Sequence, residues 1–187
     1  MKKMVLLAVC AALASSVAVA GQNRPTATQP DPAMQMALKN MEKVMLDMKM
    51  EDRPKYMMKI QEEAVAHGRK LYSDTGLSTN DRSCNTCHPG GATTNGEAEI
   101  PMPLKNGMKP KLPVPSLIGA AATFPKYKVP NDAVIQLAEM NNNCIRMFMM
   151  GKPLDLNSAN ARDLVTYIST LSNGREVEIG KMEMGKK

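Results

Sequence analysis

A cysteine pair followed at once by a histidine is the feature of this sequence with the clearest chemistry. Cys84 and Cys87 are separated by two residues, and His88 follows directly. This spacing lets both thiols form thioether bonds with the vinyl groups of one porphyrin, while the imidazole reaches the iron as proximal ligand. A thioredoxin-like pair needs no following histidine, and a zinc site needs two further ligands. The motif therefore predicts one covalently bound haem c.

The second axial ligand has several candidates. Cys10 is expected to leave with a cleaved N-terminal signal, so Cys144 is the thiol left over once residues 84 and 87 are used. It falls with apolar residues on one face of a predicted helix. An inert buried cysteine is the alternative explanation for it. His67 precedes the motif and is expected to be a partly buried structural histidine rather than a ligand. The remaining candidates are methionines in plausible distal positions: Met102, Met147, Met149 and Met150.

The N-terminus predicts export. Lys2 and Lys3 precede a short apolar run, and Ala18-Val19-Ala20 closes it, in the order of a secretory signal peptide. The run is shorter than the roughly 20 residues that a membrane-spanning helix needs, and no later segment is suitable. We expect cleavage near Ala20 and a periplasmic or otherwise exported protein without a transmembrane segment.

Composition restricts the partners and indicates what fills the core. The 187 residues carry a formal net charge of +6, which becomes +4 without Lys2 and Lys3 of the predicted signal peptide, and this positive charge favours acidic redox partner proteins. Aromatic platforms and a dense basic stripe are missing, so nucleic acid is not expected as a partner. Aromatic residues make up 3% of the chain and tryptophan is absent, while there are 18 methionines. A porphyrin would supply the aromatic mass that the side chains lack.

Apolar periodicity predicts four helices and no strand pattern of any length. The first is expected over residues 33–50 and the second over 55–72, with Pro54 between them. The third is expected from a cap at Asn131-Asp132 to about residue 150. The fourth is expected from about 158 to about 173, and a long irregular stretch before residue 130 is expected to wrap around the haem. The expected fold is all-α.

A methionine-rich helix is expected to precede the haem domain. Its apolar residues recur at spacings of four and three, which is typical of an amphipathic helix packing on a neighbour. A copper(I) site or a soft partner surface is the alternative, since thioethers are soft ligands. The predicted organisation is a signal peptide (1–20), a flexible tail with this helix (21–54), a cytochrome c domain (55–175) and a C-terminal tail (176–187).

Two stretches resemble known families. Residues 59–88 resemble the front of a class I cytochrome c, and residues 163–168 resemble its last helix, which in that family crosses the first near Gly68. Residues 113–174 are similar to the haem domain of thiosulfate dehydrogenases and Sox-type sulfur-oxidising cytochromes. This resemblance implies a cytochrome c-like fold, a role in sulfur-compound metabolism and Cys144 as the distal sulfur ligand. The matching segments of the second stretch are Phe124-Pro125-Lys126-Tyr127, Asn142-Asn143-Cys144-Ile145, Gly151-Lys152-Pro153-Leu154 and Tyr167-Ile168.

The sequence also departs from those sulfur-oxidising relatives. Met140 stands one helical turn before Cys144, where the relatives carry an arginine that helps to bind the anionic substrate. Arg146, Lys126 and Lys128 are the basic residues nearest in sequence, and a sulfur anion favours such donors. Many of those enzymes hold two haems, whereas this sequence holds one motif.

We therefore expect an exported cytochrome with one haem that carries single electrons, rather than a stand-alone oxidoreductase. The alternative is a catalytic or accessory haem subunit that oxidises thiosulfate or a related sulfur anion at Cys144. A third possibility is a haem sensor whose ligand switches.

Overall fold

The computed structural model describes residues 31–92 and 96–181 of the chain. These residues fall into two units, one ending at Lys49 and one beginning at Met50, and each unit is described by itself. The predicted signal peptide, the tail at 21–30 and the last six residues of the predicted C-terminal tail lie outside the described residues.

Helix α1, Pro32–Met45, is the helix of the first unit. Asp31 is its N-cap, because its side chain accepts a hydrogen bond at 2.8 Å from the backbone N–H three residues on. The N–H groups of Leu46 and Asp47 both donate to the carbonyl of Glu42, which closes the helix before the predicted end near residue 50. None of its residues is buried.

Helices α2 (Arg53–Ser73) and α5 (Ala159–Thr170) cross at Gly68 and form the core of the second unit. A Cβ atom placed on Gly68 would lie 1.9 Å from the carbonyl oxygen of Asp163 and 2.8 Å from Cβ of Tyr167. Only glycine permits such an approach, so the predicted crossing is confirmed. The buried side chains around it are Leu71, Tyr72, Leu137, Leu164, Tyr167 and Ile168.

The predicted start of the third long helix at Asn131-Asp132 is wrong. Asp132 has a left-handed φ of 47°, and the helix, α4, spans Leu137–Met147. Gln136 caps it, since its backbone N–H donates to the Glu139 carboxylate at 2.8 Å in a reciprocal capping box. The apolar residues before this cap pair as a strand, which local helical periodicity could not reveal.

Two antiparallel ladders of three-residue strands interrupt the helices. Strand β1 (Glu97–Glu99) pairs with β2 (Lys111–Pro113), and β3 (Lys126–Lys128) pairs with β4 (Ala133–Ile135). The sequence pattern predicted neither, because strands this short are set by cross-strand pairing rather than by alternation.

The second unit also contains helix α3, Cys84–Cys87, which is a single turn. Helix accounts for 53% of the structure and strand for 8%, so the expected all-α class is confirmed. None of the helices within 31–92 and 96–181 combines the length and the apolar character needed to cross a lipid bilayer.

Candidate functional site

Helix α3 holds the two motif cysteines in one turn. Ser83 precedes it as N-cap, and its backbone N–H donates to the hydroxyl of Thr86 at 3.0 Å. Positions three apart on a helix lie on the same side, so this cap presents Cys84 and Cys87 together. The backbone N–H of His88 donates to the Cys84 carbonyl at 2.9 Å, and the chain then leaves the helix. Local backbone geometry alone therefore sets the spacing of the three groups.

The His88 ring is half-buried, and its surroundings favour the neutral form. Burial lowers the pKa of His88, and the nearby carbonyl of Pro115 raises it in part. Within the described residues, Nδ1 of this ring is buried and has no hydrogen-bond partner of normal geometry. The hydroxyl of Tyr72 donates to the His88 carbonyl and so anchors the backbone to α2. A neutral imidazole is the form that binds a metal.

Helix α4 is tied to the segment that leads into α3. The side chain of Asn80 donates to the Phe148 carbonyl at 2.9 Å, and the Arg82 guanidinium donates to the same carbonyl at 3.2 Å. The backbone N–H of Thr79 donates to the Met149 carbonyl at 3.1 Å. These bonds bring the helix that carries Cys144 to the motif.

Cys144 and the motif thiols lie close enough to influence one another. The pKa of Cys144 is raised to about 11, chiefly by burial and next by the neighbouring Cys87, while the Lys128 ammonium acts to lower it. Burial likewise raises the pKa of Cys84 to about 12, with Cys144 as the next cause. Among the described residues, Cys84, Cys87 and Cys144 are free of disulfide bonds. The structure thus gathers Cys144 with the motif, although the chain separates them widely.

Asparagines fix the position of α4. Asn142 exchanges two hydrogen bonds with the backbone of Leu154, at 2.8 and 2.9 Å, and the amide of Asn143 donates to the side chain of Asn131. From the sequence, Asn142 and Asn143 were identified only as part of a segment that matches the relatives. The signal that could have revealed this role is a run of amide side chains inside an amphipathic helix, because amides that become buried must find hydrogen-bond partners.

The methionine candidates differ in their surroundings. Met102 is 62% exposed, whereas Met149 is 3% exposed. Met147 and Met150 are half-buried, and Met150 has a left-handed φ of 54°. The backbone carbonyls of Met149 and Met150 both accept hydrogen bonds from Thr79, at 3.1 and 3.0 Å.

His67 is engaged elsewhere in the fold. Its Nδ1 lies 2.7 Å from Oδ2 of Asp163, at the crossing of α2 and α5. The side chain of His67 is 43% exposed. This partner supports the structural role expected for the residue.

A cavity of about 500 Å³ adjoins the motif. Its walls come from α3, from the segment before it and from both strands of the β1–β2 ladder. The Arg82 guanidinium also donates to the Glu99 carbonyl at 3.2 Å, which holds this ladder against the segment. The stretch before residue 130 was expected to wrap around the haem, but the strand pair β1–β2 that forms this wall was not predicted. The lining residues are Arg82, Thr86, Cys87, Glu97, Ala98, Glu99, Lys111 and Val114.

Two lysines of β3 lie beside the Phe124 ring. The ammonium groups of Lys126 and Lys128 stand 4.9 and 5.6 Å from the centroid of the Phe124 ring. Lys126 is buried and donates to the hydroxyl of Thr123 at 2.9 Å. The effect of Lys128 on the Cys144 thiol places a positive charge near that sulfur.

Comparison with known proteins identifies the type of domain. Residues 111–177 match the family described as SoxA/TsdA, cytochrome c domain. Thiosulfate dehydrogenase of Allochromatium vinosum is 26% identical over 128 residues, which are 66% of this chain and 42% of the relative. The chain therefore spans less than half the length of this curated relative. It carries a c-type cytochrome domain of the SoxA/TsdA type, as the resemblance predicted.

Two solved structures are also similar. The crystal structure of SoxXA from P. pantotrophus is 19% identical, covers 63% of this chain and 36% of its own, and has a TM-score of 0.47. The as-isolated thiosulfate dehydrogenase TsdBA from Marichromatium purpuratum is 21% identical, covers 63% and 24%, and has a TM-score of 0.48.

Haem c is the cofactor of this domain type, and the residues present fit it. Two free thiols stand on one helical turn, a half-buried imidazole whose lowered pKa favours the neutral form follows them, and a cavity adjoins one of the thiols. Cys84 and Cys87 would form the covalent links, and His88 would bind the iron.

Proposed function

We propose that this chain is an exported cytochrome with one haem c, that it carries single electrons in sulfur-compound metabolism, and that His88 and Cys144 are its axial ligands. Haem c supplies reversible one-electron transfer when it is bound. The observation that carries the proposal is the approach of Cys144 to the motif, supported by the hydrogen bonds between residues 79–82 and 148–150.

The chain's own groups have distinct tasks in this proposal. Cys84 and Cys87 provide the covalent links, and the neutral imidazole of His88 donates a lone pair. Burial keeps the free Cys144 thiol protonated, and metal binding is what removes such a proton. A thiolate stabilises the higher charge of ferric iron, so Cys144 is expected to lower the reduction potential.

Electron paramagnetic resonance of the oxidised protein tests the ligand assignment. We expect Cys144→Ala to change the ferric spectrum and the optical bands while the covalent haem is retained, because a thiolate ligand is lost. Met149→Leu is the matched control, since it alters a buried neighbour on the same segment without removing a thiol. An unchanged spectrum in Cys144→Ala, together with a changed one in Met149→Leu, would make a methionine the ligand.

Covalent attachment is tested on the denatured protein. Protein produced in a host that matures c-type cytochromes should keep its haem absorbance and added mass after unfolding. Removal of both motif thiols should abolish covalent attachment. If the denatured wild-type chain is colourless, the proposal as a whole is wrong.

A second candidate function is oxidation of thiosulfate or a related sulfur anion at Cys144. Lys128 favours it, because its ammonium influences the Cys144 thiol and could supply the positive charge that such an anion needs. Met140, which stands where the relatives carry an arginine, cannot supply that charge. The curated relative described above is named as a thiosulfate dehydrogenase.

Electron counting favours the carrier over this enzyme. Coupling two thiosulfate anions releases two electrons, whereas one haem accepts one at a time, and the sequence holds one haem motif. Turnover with thiosulfate and a dye acceptor separates the two functions. The variants are Cys144→Ala and Lys128→Gln, with Lys152→Gln at an exposed position as control. If the wild type and the control turn over steadily, and either of the first two variants retains haem but loses turnover, the second proposal replaces the first.

A further inference from the structure

The turn between β1 and β2, residues 100–110, exposes apolar side chains on an ordered backbone. We call these residues the hairpin tip. Met102, Leu104 and Met108 are 62%, 50% and 55% exposed. The backbone beneath them is hydrogen-bonded, with Leu104 N–H donating to Met108 at 2.8 Å and Ile100 N–H donating to Pro110 at 2.9 Å. Contiguous apolar groups held in water by a defined turn are typical of an interaction surface.

The charge of the hairpin is divided along its length. The tip carries Lys105 and Lys109, Lys111 follows at once, and no acidic residue occurs between positions 100 and 114. The acidic residues of the hairpin, Glu97 and Glu99, lie at its base, where Glu99 stands 3.9 Å from Lys109. The outer end is therefore both apolar and basic, and an acidic surface with an apolar centre complements it.

The hairpin is also part of the site. Its strands form one wall of the cavity that Cys87 lines. The Arg82 guanidinium donates to the Glu99 carbonyl in the hairpin and to the Phe148 carbonyl at the end of α4, each at 3.2 Å. A protein seated on the tip would thus contact an element that directly borders the cofactor cavity. Such proximity is what single-electron exchange between two proteins requires.

We propose that the hairpin tip is the docking surface for an acidic redox protein, with Lys105 and Lys109 steering the encounter and Met102 and Met108 providing the apolar contact. This proposal rests on the carrier function proposed above and names the partner's chemistry. A second copy of the chain is disfavoured as occupant, because two basic tips repel each other.

Charge reversal at the tip tests the proposal in the haem-loaded full chain. The double variant Lys105→Glu/Lys109→Glu is compared with Lys55→Glu/Lys59→Glu, which makes the same charge change at exposed positions on α2. The probe is a reduced acidic flavodoxin, mixed at low and high salt in a stopped-flow instrument. We expect the tip variant to lose about tenfold or more in second-order rate at low salt and most of its salt dependence, because steering is lost. The α2 variant should lose far less.

A small neutral reductant separates docking from the carrier function. Photoreduced lumiflavin semiquinone should reduce the wild type and both variants at similar rates, since it needs no docking surface. If lumiflavin reduces no form of the protein, the carrier function fails. If all forms react with lumiflavin and the two charge variants slow equally with flavodoxin, the docking surface is not the tip.

The apolar half of the surface has its own variant. Met102→Gln/Met108→Gln should weaken flavodoxin binding at high salt, where steering is screened, with Met57→Gln/Met58→Gln on α2 as the exposed control. Equal binding by both pairs would overturn the apolar contact. Two other occupants are tested in the same variants: phosphatidylserine vesicles by binding, and a second copy of the chain by sedimentation. If the tip variants lose either interaction while the charge variant reacts with flavodoxin as fast as the wild type, the proposal is overturned in favour of that occupant.

Discussion

Helix α1 and the crossing of α2 with α5 contrast two uses of the same sequence pattern. Both regions carry apolar residues at helical spacing, and both fold as helices. On α1, Met34, Leu38 and Met41 are 53%, 46% and 54% exposed, whereas at the crossing Leu164 and Ile168 are 0% and 2% exposed. Periodicity therefore predicts where a helix forms, but burial depends on whether another surface fits against it.

The largest effect is expected at the point of closest approach. Gly68→Ala should destabilise the protein by about 3 kcal/mol, roughly 6–12 °C in Tm, because the new methyl group meets the backbone of α5. Thermal unfolding of the haem-loaded chain measures this. Helix propensity alone would stabilise the variant by about 1 kcal/mol, so an unchanged or raised Tm would show that the helices are not in contact. Gln61→Ala, at an exposed position of α2, is the control.

An intermediate effect is expected where the crossing supports the site. Tyr72→Phe keeps the ring contact with Tyr167, whose centroid lies 5.2 Å away, but removes the donor to the His88 carbonyl. We expect a loss of about 1–2 kcal/mol in denaturant unfolding. Tyr127→Phe removes an exposed bond to Asp132 at 2.9 Å and should cost less than about 0.5 kcal/mol. Equal costs for the two variants would mean that the buried bond contributes nothing extra.

The smallest effect is expected on α1. Met34→Gln/Met41→Gln should change the free energy of unfolding by less than about 0.5 kcal/mol, because both side chains are exposed and glutamine is nearly as good a helix former. Leu71→Gln on α2 places an amide in the core and should cost several times more. Comparable losses from the two changes would remove the contrast and would show that the methionine face of α1 is covered in solution.

The helices at the crossing were predictable from the sequence. Their apolar stripes and caps are local, and Gly68 was identified through the family resemblance. The start of α4 was not predictable, because residues 133–135 satisfy their backbone bonds with residues 126–128 instead of continuing a helix. The β1–β2 hairpin was missed for the same reason, since pairing with a distant segment leaves no local periodicity.

The haem motif is what the sequence by itself determined. Cys84 and Cys87 occupy one helical turn and His88 follows it directly, so their mutual spacing follows from backbone geometry whatever the rest of the chain does. The neighbourhood of Cys144 was decided only by the tertiary structure. Hydrogen bonds between segments far apart in the chain bring the helix that carries Cys144 to the motif, and such contacts arise only after the intervening loops have closed.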